Sequence, residues 1–191
     1  MPGAPLTPIS EASPDWAHGV LASLYQAAFS APDREVAGVL VGRAGAGTEQ
    51  PHIQAIIPAT EGHQIGQAAM FGHDSWAYVH DAMARHYPGL DLVGWYVSRP
   101  GNGCALTPAD LLNHQRWFSH AHQVLLVLDS RTHRGALFGW RGAQLSCLHE
   151  GPVARRYTRA PREGPPVAGL VMLSGLGVLL GLLAYILSEA L

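Results

Sequence analysis

Eleven histidines are spread through the 191 residues, and neutral imidazole is the commonest protein ligand for transition metals. His120-Ala121-His122 forms a close pair, while His63, His73 and His80 fall in or near one stretch of predicted helix. A structural or catalytic zinc needs three or four ligands converging on one point. Each of these histidines therefore reads as a lone surface residue or a satisfied core residue, with a relocated metal site as the alternative. A second group of polar side chains, Ser98, Arg99, Asn102, Thr107 and Asp110, lies in the run from Gly94 to Asp110, with Glu35 far upstream. Glu35 taken by itself reads as a strand-end carboxylate bonded to backbone amides. Asn102 and its flanking glycines shape a loop. Cys104 and Cys147 are the two cysteines, without a CxxC pair, and read as partly buried packing residues in a reducing compartment.

These side chains need elements to hold them. Apolar residues at Val20, Leu21, Leu24, Tyr25 and Phe29 follow a 3.6-residue period and predict a helix over Asp15–Ala31. Glu35–Val41 is a short apolar run of the kind found in buried strands, and His52–Pro58 reads as its returning hairpin partner. Ser75–His86 is a second amphipathic helix, ended by Tyr87-Pro88-Gly89. Asp91–Val97 is a strand running into Arg99-Pro100-Gly101-Asn102-Gly103. Thr107-Pro108-Ala109-Asp110 combines an N-cap threonine, proline at the first helical position and an acid in the first turn, and predicts a third helix to about Ser119. Gln123–Leu128 and Gly135–Trp140 read as two further strands joined by a hairpin. Helices alternate with strands while hairpin turns recur, so the expected class is α/β with a mixed sheet flanked by helices.

Composition narrows the function classes. Net charge is −2, the pI is about 6.6, and all twelve basic residues are arginine. Nothing here is the electrostatic footprint of a nucleic-acid binder. Charged residues make up 14% of the chain, low against the roughly 25% of ordinary soluble domains. Residues 1–14 read as a flexible, proline-bearing leader, 15–150 as one domain, and 151–166 as an Arg/Pro-rich juxtamembrane linker. Val167–Leu187 carries no charge and as a helix would span about 31 Å, so it is expected to cross a bilayer, with 188–191 as a short tail. Arg155, Arg156, Arg159 and Arg162 precede it, which places the domain on the cytoplasmic side of a single-pass cell-membrane protein. Ser174, Gly177, Gly181 and Ala184 line one face of that helix, where small residues let a second helix approach.

The run Gly94-Trp95-Tyr96-Val97-Ser98-Arg99-Pro100-Gly101-Asn102-Gly103-Cys104 through Thr107 and Asp110 resembles the active-site signature of the JAMM/MPN family of zinc-dependent isopeptidases and their inactive relatives. Glu35–Gly42 is similar to that family's glutamate-bearing strand, and the likeness covers roughly residues 15–148. The resemblance implies an MPN/JAMM-type sheet. It also implies that Glu35 stands at the general-base position, Thr107 at the serine position, Asp110 at the metal-ligand aspartate, and Val97 and Arg99 at the two histidine positions. Valine has no lone pair to donate, and arginine keeps its charge where the metal charge would sit. The resemblance thus implies lost catalysis, no metal and no cofactor, with the Arg99 guanidinium filling the empty position and pairing with Asp110 and Glu35.

The function expected from these readings is a catalytically inactive MPN-like module that binds or assembles proteins at the cytoplasmic face of a membrane. Its partners would be another MPN domain, a second copy of itself or a larger membrane complex, besides the lipid bilayer and excluding nucleic acid. Two alternatives stay open: a zinc-dependent peptidase with a non-standard metal site, and a binder of ubiquitin-like tails through the vestigial cleft.

Overall fold

The computed structural model describes residues 14–45, 50–58 and 71–153. Its elements are β1 (Asp15–Trp16), α1 (Val20–Phe29), β2 (Val36–Arg43), β3 (His52–Pro58), α2 (His73–His86), β4 (Asp91–Arg99), α3 (Pro108–Trp117), β5 (Val124–Asp129), β6 (Arg134–Arg141) and β7 (Gln144–Pro152). One seven-stranded sheet runs in the order β1-β3-β2-β4-β5-β6-β7. The pairs β1–β3 and β4–β5 are parallel and the others antiparallel.

Both faces of the sheet are covered, which explains why the central strands read as unbroken apolar runs rather than alternating ones. On one face α1 lays Val20, Leu21, Leu24, Tyr25 and Ala28 over Leu40, Ile53, Tyr96, Leu126 and Leu128. On the other, Val79 and Ala82 of α2, with Phe118 just beyond α3, cover Val39, Val41, Trp95, Val97, Leu125 and Val127. The two-residue strand period splits β4 between them. Trp95 and Val97 join the core beside α2 and α3, and Tyr96 joins the core beneath α1.

Several expectations need correction. The first helix begins at Val20, not Asp15, because Gly19 adopts a left-handed φ of 82° and breaks the helical path. The chain before it turns back, and Asp15–Trp16 pairs parallel with His52–Ile53. β7 was not anticipated, and it runs to Pro152, inside the stretch read as linker. The expected fold class, an α/β sheet of MPN/JAMM type with a C-terminal membrane helix, gives way to a strand-dominated mixed half-barrel sheet with three helices. Those helices contain 10, 14 and 10 residues, against the roughly 20 apolar residues a bilayer core demands. No helix among the described residues is long and apolar enough to cross a membrane, and the single-pass cell-membrane location is corrected with the fold class. The segment 167–187 on which it rested, with Ser174, Gly177, Gly181 and Ala184, lies outside the described residues.

Candidate functional site

The N-terminus of α3 is built by a reciprocal cap. The Thr107 hydroxyl oxygen accepts the backbone N–H of Asp110 at 3.2 Å, and one Asp110 carboxylate oxygen accepts the backbone N–H of Thr107 at 2.8 Å. Two otherwise orphaned donors are satisfied, and Pro108 at the first helical position removes a third. The other oxygen of Asp110 accepts a hydrogen bond from Nη2 of Arg99, the last residue of β4. Nε of the same guanidinium stands 3.4 Å from Oε2 of Glu35, the residue immediately before β2. The structure therefore brings together Glu35, Arg99 and the Thr107–Asp110 cap from three separate places in the chain. Arg99 is 6% exposed and Asp110 1% exposed, whereas the Glu35 side chain keeps 23% of its surface in water.

Within this group the charges are unequal, with two carboxylates sharing one guanidinium. Arginine cannot give up its proton in a protein and so cannot shuttle one. The guanidinium and the capping bonds commit both oxygens of Asp110. Between Arg99 and Asp110 the contact is electrostatic: a buried carboxylate is compensated, and α3 is locked onto the end of β4. Val97 is fully buried among apolar neighbours and contributes packing alone. Ser98 points to the opposite face of β4, where its buried hydroxyl has no hydrogen-bond partner among the described residues.

Histidines singled out from the sequence stay apart. His73 and His80 lie exposed on α2, and the His80 ring sits 5.9 Å from Trp76. His120 and His122 stack nearly parallel with centroids 5.7 Å apart. Burial lowers the pKa of His122 and His120 adds to this, against an opposing pull from Asp91. His63 lies outside the described residues. Among the described residues no group of three or more His, Cys, Asp or Glu is placed to hold a metal.

Two buried groups were missed. His114, one turn after Asp110 on α3, is completely buried. Its Nδ1 accepts the indole N–H of Trp95 at 3.1 Å, and burial pushes its pKa down to about 4. Asp129 ends β5 and accepts the backbone N–H groups of Gly101 at 2.9 Å, Gly103 at 3.1 Å and Arg131 at 2.9 Å. Burial raises its pKa, but the bonds from Gly101, Arg131 and Thr132 outweigh it and hold the carboxyl at about 2. Both glycines have positive φ, 72° and 68°, a conformation that costs glycine nothing and presents their N–H groups inward. The Pro-Gly-Asn-Gly loop is thus fastened by Asp129, while Asn102 at its tip is exposed. A carboxylate at a strand end facing a Gly-x-Gly loop is the sequence signal that was available for it. Cys104, just after this loop, has its thiol pushed up to about 11 by burial and then by Glu150 and Asp129. It remains a protonated packing group at neutral pH.

No family model matches the chain, and no curated protein matches it. Solved structures do. A Desulfitobacterium hafniense protein solved in solution is 12% identical with a TM-score of 0.52, over 76% of this chain and 99% of that one. A Salinibacter ruber protein, also solved in solution, is 17% identical with a TM-score of 0.49, over 80% of this chain and 95% of that one. The first likeness is one of fold alone. Nothing in it points to an MPN/JAMM domain.

Proposed function

We propose that this domain is a non-catalytic protein-binding or assembly module, in which an arginine stands where a JAMM-like site would hold its metal. One observation carries the reading: Arg99 lies between Asp110 and Glu35, the positions that the sequence resemblance assigns to the metal ligand and the general base. A guanidinium there supplies the positive charge that Asp110 needs in a dry setting, and it does so without an open coordination position for water. Val97, in the remaining ligand position, is a core residue. The polar group then serves architecture, and the surface it shapes is left to recognise a protein.

Elemental analysis, paired with partner capture by the full chain carrying either Glu35 or Glu35→Gln, tests this. Protein without stoichiometric zinc that captures the same partner in both forms is the expected result. One equivalent of zinc together with Glu35-dependent peptide cleavage overturns it and establishes a peptidase instead.

A further inference from the structure

We propose that the aromatic ledge between α2 and α3 is the docking site for this chain's own proline-spaced leader, residues 2–8. The ledge is formed by Trp117 of α3, which is 38% exposed and in contact with Trp76 of α2 at 5.1 Å between ring centroids. His80 extends it at 5.9 Å from Trp76. The guanidinium of Arg116 lies 4.9 Å from the centre of the Trp117 ring. Tryptophan offers the largest apolar surface of any side chain, and one left this open on a domain with a well-filled core marks a place where something else packs.

The leader has the matching chemistry. Met1-Pro2-Gly3-Ala4-Pro5-Leu6-Thr7-Pro8 places prolines at intervals of three. A polyproline II helix has three residues per turn, so Pro2, Pro5 and Pro8 would fall along one edge. Such an edge docks against aromatic side chains because its backbone is already ordered and little entropy is lost. Charge chooses between the two proline-bearing segments of the chain. Residues 151–166 carry Arg155, Arg156, Arg159 and Arg162, which Arg116 repels, whereas the leader's single charged side chain is Glu11. Reach is adequate as well. β1 stands three strand positions from β4, about 14 Å across the sheet, and α3 is fastened to β4 through Trp95–His114 and Arg99–Asp110. The six residues from Pro8 to Pro14 cover about 19 Å in the extended polyproline form.

The test compares the full chain with its Pro5→Ala/Pro8→Ala variant, which leaves every described residue intact, by the NMR signals of the tryptophan indole N–H groups. Displacement of the Trp117 and Trp76 signals, with Trp95 and Trp140 unmoved and no change on dilution, is the expected result. The reciprocal substitution Trp117→Ala should sharpen the backbone signals of residues 3–8. Unmoved Trp117 and Trp76 signals overturn the proposal. A displacement that vanishes on dilution overturns it too, since the occupant is then the leader of a second copy.

Discussion

The indole N–H of Trp95 donates to Nδ1 of His114 across 3.1 Å in the fully buried layer between β4 and α3. Neutral imidazole accepts at one nitrogen only, so this bond fixes the tautomer and places the ring proton on Nε2. Phe118 stacks on the same ring at 5.9 Å and Trp140 packs tilted against it at 5.2 Å, so the ring is enclosed by apolar surface and burial disfavours its charged form. One turn earlier on α3, Asp110 meets Arg99, also on β4. Two polar contacts, one neutral and one ionic, thus set how the helix lies on the strand.

A pH dependence follows from the neutral contact. The folded pKa of His114, about 4, lies below its unfolded value of about 6.5, so the unfolded chain takes up the proton first. The stability tied to the neutral ring is complete above pH 6.5 and is lost as pH falls through about 4, in total about 3 kcal/mol. Urea denaturation at intervals from pH 7 to 4 measures it. His114→Gln, which can still accept the Trp95 N–H, should flatten that decline.

For the ionic contact, Arg99→Ala strands a buried carboxylate and should destabilise the domain by about 3 kcal/mol. Arg99→Ala combined with Asp110→Asn should cost less than Arg99→Ala alone, since the uncompensated charge goes with its partner. Glu35→Gln should cost under about 1 kcal/mol, because its contact is longer and partly in water. Chemical denaturation of the parent chain, Arg99→Ala, Asp110→Asn and the double variant as a cycle gives the coupling directly.

Asp129→Ala should cost about 3 kcal/mol, because several loop N–H groups lose a charged acceptor at once. Asp129→Asn keeps the shape and should recover part of this. Hydrogen exchange at Gly101 and Gly103 should accelerate in both variants, with Asp129→Ala the faster.

Gly38→Ala on β2 should be among the most damaging substitutions. A methyl group there would lie 2.6 Å from the backbone oxygen of Ile57 and 2.6 Å from the Tyr96 ring. The ring is completely buried and the backbone belongs to a paired strand, so neither can yield. Overpacking of this kind costs about 1–3 kcal/mol, read as a fall in melting temperature.

Building a metal site on the polar group tests its architecture differently. Val97→His with Arg99→His removes the guanidinium and places two imidazoles beside Asp110, and the variant should bind zinc where the parent chain does not. Isothermal titration with zinc chloride measures the difference.

What the sequence determined alone are the features that a few neighbouring residues complete among themselves. The start of α3 belongs here, because the cap joins Thr107 to Asp110 within one turn. So do α2, whose apolar period is uninterrupted, and the β2–β3 hairpin. The tertiary structure decided whatever depends on distant partners. Asp15–Trp16 carries helical periodicity yet pairs with β3, since a glycine in the left-handed region separates it from α1. β7 lacks strict alternation because its register slips opposite Leu137–Phe138, so period two could not reveal it. His114 and Asp129 look ordinary in sequence; the first becomes a neutral buried acceptor and the second a loop anchor only when β4 and β5 lie side by side. Burial and compensation are properties of the surroundings, and these surroundings are assembled from residues far apart in the chain.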